Sequence, residues 1–239
     1  MTQGTHQLAA TMINQLNRVD TISNNLANLN TNGFKSDYLS EGSFNSYLNK
    51  KNSSGEKVSH ESYIMNTVPK IDQNYIDSKL GSITPTGNNL DFALSQANTY
   101  FKVENSEGKV ELTRDGKFNI LDGNIVNQNG YKVLDNTNNP IASNSEDLLS
   151  RISVVSANFV DLNKVGNNNY KYNKEENIKI IEENHDYIIQ GSIERSNTNS
   201  IGSMVAMIDA QRRFEQAQKA MTGIDDINKK VIDSIGNGR

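Results

Sequence analysis

Apolar residues recur at helical spacing at both ends of this chain, and a different period runs between them. Near the start, Leu8, Met12, Leu16, Val19, Ile22, Leu26 and Leu29 step by three and four, with Asn14, Asn17, Arg18 and Asp20 mostly between them. This spacing predicts an amphipathic helix over about residues 5–30, stopped by Asn28, Asn30 and the Asn32-Gly33 pair. At the other end, Met207, Ala210, Phe214, Ala217, Met221, Ile224, Asn228, Val231 and Ile235 alternate steps of three and four, an a/d heptad seam with Asn228 as its polar member. Ser196, Asn197 or Thr198 is placed to cap this second helix, and Gly236 and Gly238 to end it. Such a helix is about 50 Å long, too long for the core of a small domain. The seam suits either an intramolecular helical hairpin or packing against other copies, and the length favours assembly. Asn228 is either incidental or a register-setting polar residue.

From about residue 90 to 135 the period shortens to two. The runs TYFKV, VELT, KFNIL, NIV and YKVL are separated by Glu107-Gly108, Asp115-Gly116, Asp122-Gly123 and Asn129-Gly130, which predicts a meander of hairpins. Further strands are expected at 152–160 and 187–193, with an Asn-rich loop or hairpin at 163–177. Residues 40–79 carry Phe44, Tyr47, Tyr63 and Ile64 without a clear period and read as extended. The expected fold is α+β. A discontinuous, coiled-coil-like helical domain (1–35 and 195–239) and an extended linker (36–80) flank a central, mostly antiparallel β domain (81–194).

Composition narrows the function. The 239 residues include no cysteine, which removes disulfides, thiolate metal sites and cysteine nucleophiles. A net charge of −4 supplies no bulk positive field for nucleic acid. Hydrophobic residues make up 35% of the chain and Asn occurs 36 times, a composition that favours turns and conditional order over a deeply buried enzyme core. No apolar run approaches the roughly 18 residues of a membrane helix, and the N-terminal stretch lacks a basic region followed by an apolar one. His6, His60 and His185 are far apart and show no metal-ligand spacing. No phosphate-cradling glycine loop or nucleophile elbow is present, so neither a catalytic residue, a metal nor a cofactor is expected. Glu175-Glu176, Glu182-Glu183 and Asp225-Asp226 read as solvated charge, and Asp115 and Asp122 as turn residues. Arg212-Arg213 beside the seam serves either helix-flank ion pairs or contacts to a neighbouring subunit.

Three segments carry a specific likeness. SNNLANLNTNGFK at 23–35 resembles the N-terminal signature of the bacterial flagellar rod and hook axial proteins. LTRDGKFNILDGNIVNQNGYKVL at 112–134 resembles the hairpin region of that family, and IERSNTNSIGSMVAMIDAQRRFE at 193–215 its entry into the C-terminal helix, in the same order. One departure is local: the family's Gly-rich turn before Phe-Phe is replaced by Ser95-Gln96-Ala97-Asn98-Thr99-Tyr100-Phe101. The length suits a rod subunit better than the larger hook protein, and the Arg212-Arg213-Phe214-Glu215 run followed by Gly223-Ile224-Asp225-Asp226 is more like the proximal than the distal rod branch. The resemblance implies a structural subunit of the basal-body rod, needed for motility. Such a subunit is exported by the flagellar type III apparatus without a cleaved signal and polymerised with copies of itself and other rod proteins across the periplasm. It implies no small-molecule substrate and no membrane span. Implied assembly residues are Leu8, Met12, Leu16, Val19, Met207, Phe214, Met221, Ile224 and Val231 in the helical tube, Leu26 and Phe34 as packing anchors, and Asn28 and Gly33 for the turn. Because short lone helices are marginal in water, the termini are expected to order on assembly. A secreted peptidoglycan-degrading enzyme and a soluble coiled-coil binding module are the readings from other classes.

Overall fold

The computed structural model describes residues 2–43, 69–144, 148–172, 178–182 and 184–236; Phe44, Tyr47, Tyr63 and Ile64, together with part of the Asn-rich stretch expected at 163–177, lie outside them. Among these described residues three α-helices, α1 (Thr2–Ala27), α2 (Leu148–Arg151) and α3 (Ser200–Gly236), accompany fifteen strands, all of whose described pairings in the central region are antiparallel. The chain divides into two units. One holds residues 1–26, 37–75 and 200–239, and the other residues 27–36 and 76–199.

The first unit contains the two long helices and a two-stranded sheet of β1 (Asp37–Ser43) and β2 (Pro69–Ile76), which nothing in the apolar pattern of residues 36–80 foretold. Helix α1 stops at Ala27, three residues before the predicted end. The Asn28 carbonyl accepts the Thr31 N–H at 3.2 Å and turns the chain out of the helix. Inside the last turn, the Asn25 amide clasps the backbone of Asp37, donating to its carbonyl at 2.7 Å and accepting its N–H at 2.9 Å. Helix α3 begins at Ser200, later than any of the three expected caps, because Asn197 is committed to the neighbouring chain connection and Ser196 bonds Thr198.

The second unit is built on β5 (Thr99–Glu104), which is buried over nearly its whole length. One edge of β5 pairs with β6 (Val110–Thr113); the other is shared by β10 (Val154–Ala157) against its first half and β9 (Lys132–Val133) against its second. The sheet extends outward from β6 through β12 (Asn169–Tyr172) to β11 (Leu162–Gly166), and from β9 through β8 (Asn124–Val126) to β7 (Asn119–Leu121), while β13 (Ile178–Ile181) pairs with β10. Alternation along β5 sends Phe101 and Val103 into one core with Phe92, Phe118, Ile125 and Val154. Tyr100 enters the other, with Leu112, Val155 and Tyr170. Two smaller ladders complete the unit, β3 (Ile83–Pro85) with β15 (Ser192–Glu194) and β4 (Phe92–Leu94) with β14 (Ile188–Gln190). The single strand expected at 187–193 is therefore two, broken at Gly191, whose φ of 72° ends one ladder and starts the next.

The predicted hairpins form at Glu107-Gly108, Asp122-Gly123 and Asn129-Gly130. Asp115-Gly116 is different. It joins β6 to β7, which are not paired, and crosses residues 90–92, with the Phe92 N–H donating to the Gly116 carbonyl at 2.9 Å. Asp115 keeps its turn role, its carboxylate accepting the Lys117 N–H at 3.1 Å, but it is buried as well. The Asn-rich stretch turns at Asn167-Asn168, both in the left-handed region, and closes the β11–β12 hairpin. Where the expected glycine is missing before β5, Asn98 takes the left-handed conformation instead, at φ 62°.

Candidate functional site

Two features of the sequence converge in space, one in each unit. In the helical unit, the a/d seam of α3 from Met207 to Ile224 is its least exposed face, and the seam's last member, Ile235, is exposed. Ala210 and Ala217 are buried and Met207, Phe214, Met221 and Ile224 are half-buried, whereas Val231 is 39% exposed. On α1, Leu8, Met12, Val19 and Leu26 are half-buried and Leu16 is exposed. A groove of about 540 Å³ between the helices brings Leu16 and Val19 together with Phe214. Away from this contact α3 leaves Ile201, Val205, Ile208, Ile227, Ile232 and Ile235 exposed, between 49% and 75%. Arg212 and Arg213 also face solvent.

The remaining expected anchors belong to the β unit. Gly33 and Phe34 are buried within the chain itself, and Asn28 is half-buried, its side chain accepting the Thr31 hydroxyl at 3.1 Å. Gly33 has φ 65°, and a Cβ there would run into the Arg114–Asp115 backbone, so only glycine fits. Its N–H donates to the Glu194 carbonyl at 2.8 Å. Phe34 lies under the Lys164 ammonium, 4.6 Å from the ring centroid, and the same ammonium donates to the Lys35 carbonyl at 2.7 Å.

These contacts surround a charge cluster that sequence reasoning missed. Glu194, at the end of β15, accepts from the Lys35 ammonium at 2.7 Å and the Gly81 N–H at 2.8 Å on one oxygen, and from the Arg114 guanidinium at 2.7 Å on the other. All three side chains are 0–1% exposed. Arg114 also donates to the carbonyls of Thr99, Gln96 and Leu94, at 2.7, 3.0 and 3.4 Å, and Lys35 to the Lys79 carbonyl at 2.6 Å. Burial pulls the Lys35 ammonium below its usual range; Glu194 opposes that and the neighbouring guanidinium adds to it. Asn197 closes the arrangement, accepting the Ser36 N–H at 2.8 Å and donating to the Asp77 and Lys79 carbonyls at 3.0 and 3.1 Å. The two connections between the helices and the β unit are thus held side by side. The bonds that the cluster's cations make run to Glu194 and to four backbone carbonyls, so what the cluster does is hold backbone segments together.

Three family models match this chain in order. The model described as Flagella basal body rod protein matches residues 8–35, that of the Flagellar hook protein FlgE/F/G D1 domain residues 96–190, and that of Flagellar basal body rod FlgEFG protein C-terminal residues 189–234. The chain belongs to the flagellar basal-body rod protein family. Relatives named as rod proteins match over most of its length. The flagellar basal-body rod protein FlgF of Rhizobium meliloti (strain 1021) is 26% identical over 93% of both chains, and the FlgG protein of Buchnera aphidicola subsp. Baizongia pistaciae is 28% identical over 89% of this chain and 92% of its own. FlgG of Borreliella burgdorferi is 28% identical over 92% of this chain and 93% of its own. Each member of the buried cluster lies in a different matched region: Lys35 at the end of the first, Arg114 in the second and Glu194 in the third. The three regions by which the rod family is identified therefore meet at one ion cluster.

Proposed function

We propose that this chain is a structural subunit of the flagellar basal-body rod that transmits torque through packed helices and performs no chemistry of its own. The observation that carries the reading is the pairing of similarity to rod proteins over most of the chain with two long terminal helices, the second of which keeps rows of isoleucine and valine exposed in the single chain. Burying such side chains is worth about 1.5–3 kcal/mol each. A polymer of identical subunits covers them in the way a monomer cannot. In this reading Leu8, Met12, Leu16, Val19, Met207, Phe214, Met221, Ile224 and Val231 pack the tube, while Asn28, Gly33 and Phe34 fix the chain where it leaves α1.

The subunit reaches the rod by export from the cytoplasm through the flagellar type III apparatus without a cleaved signal, and its neighbours are copies of itself and other rod proteins. Its place is the proximal rod, supported by the Arg212-Arg213-Phe214-Glu215 run and by relatives named FlgF; relatives named FlgG favour the distal position as the second reading. Deleting the gene and viewing isolated basal bodies by electron microscopy separates them. Rods that stop short within the proximal segment, with loss of swimming, are the expected result. Rods complete up to a missing distal segment indicate the distal position, and complete rods with hooks overturn the rod reading.

A further inference from the structure

We propose that the buried cluster of Lys35, Arg114 and Glu194 is a closure latch, which keeps the β unit from locking until the connection from α1 and the connection to α3 are present together. Lys35 and Glu194 are 159 residues apart and Arg114 and Glu194 are 80 apart, yet one carboxylate serves both cations. Consider a chain of which residues 193–197 are not yet available. Docking residues 33–36 would then place the Lys35 ammonium beside the Arg114 guanidinium without the carboxylate that pairs with both, an unfavourable arrangement. The Gly33 N–H would lose the Glu194 carbonyl, and the Ser36 N–H would lose Asn197.

The reverse case fails for a different reason. If residues 33–36 are the missing piece, the Glu194 carboxylate keeps Arg114 but its carbonyl has no donor from Gly33, and the Phe34 seat under Lys164 stays empty. Whichever end leads, the fold is completed by groups from both. The use of such a latch rests on the rod reading: a subunit that threads a channel is kept threadable by a β unit that does not close on a partial chain.

The test is pulse proteolysis of the full chain in urea, with cleavage inside residues 76–199 mapped by mass spectrometry, on the parent, Glu194→Gln, Lys35→Met and the double variant. Glu194→Gln leaves two buried cations unpaired, so the open fraction at fixed urea rises about a hundredfold. Adding Lys35→Met removes one of them and recovers about tenfold or more relative to Glu194→Gln alone. Stopped-flow refolding supplies the second arm: a latch formed last puts the loss into faster unfolding and leaves refolding nearly unchanged. The proposal is overturned by a Glu194→Gln chain as resistant as the parent, by a double variant no better than Glu194→Gln, or by refolding slowed in proportion to the lost stability. None of these measurements uses an export channel. A negative result therefore removes the latch and leaves the rod reading intact, whereas loss of rods is scored separately in cells.

Discussion

Asp115 is 8% exposed, and burial, with the Asp91 carboxylate adding to it, pushes its carboxyl up to about 6 against the opposing backbone bond and charge of Lys117. The folded state holds this proton more tightly than the unfolded chain. The stabilisation that goes with it is complete below the ordinary value of 3.8 and is lost as pH rises through about 6. Asp115→Asn, whose amide oxygen can still accept the Lys117 N–H, is expected to stabilise the chain by about 3 kcal/mol near pH 8 and to be nearly neutral near pH 4. Urea midpoints at the two pH values check it, and an equal effect at both contradicts it. Gly33 carries a second prediction at this scale. Gly33→Ala combines a left-handed φ with a Cβ driven into the Arg114–Asp115 backbone, so it should cost about 2 kcal/mol or more in a urea melt. Alanine at Gly123, equally left-handed but with open space around it, should cost about 1 kcal/mol, and the difference between the two measures the clash alone.

At the scale of elements, the seam on α3 separates folding from assembly. Phe214→Asp puts a charge into the groove shared with Leu16 and Val19, which belongs to the helical unit. Swimming is expected to be lost while the protease resistance of residues 76–199 stays within about twofold of the parent; normal motility in this variant rejects the assembly role given to the seam. How legible each element was follows from what specifies it. The hairpins at Asp122-Gly123 and Asn129-Gly130 could be read because each turn dipeptide fixes its own backbone locally. Asp115-Gly116 has the same spelling and a different job, because what it crosses is residues 90–92, and no local pattern encodes that. Strands β1 and β2 escaped notice because their apolar residues are sparse and their partner is distant. The α3 seam was legible through its period, but the ion cluster was not: Lys35, Arg114 and Glu194 each look like an ordinary surface charge until three remote segments are brought together.

For the whole molecule, the contrast between a β unit with two buried cores and long helices with many exposed apolar residues predicts uneven stability in the single chain. Amide exchange on a confirmed monomer should show the slowest exchange at Tyr100, Phe101 and Val103 of β5 and at least about a hundredfold faster exchange across α1 and α3. Protection of α1 equal to that of β5 would mean that the helices need no neighbours. The side-by-side clamp of the two connections has a further, mechanical consequence. Tension entering at residue 27 and leaving at residue 199 passes from the Gly33–Ser36 backbone directly to Glu194 and Asn197 through a few bonds of about 2.8 Å, without travelling along the intervening strands. The sheet hangs beside the load path as a pendant. Its outer hairpins can therefore be lengthened, trimmed or exchanged with little change in how force crosses the subunit, provided the short bridge at its root is left alone.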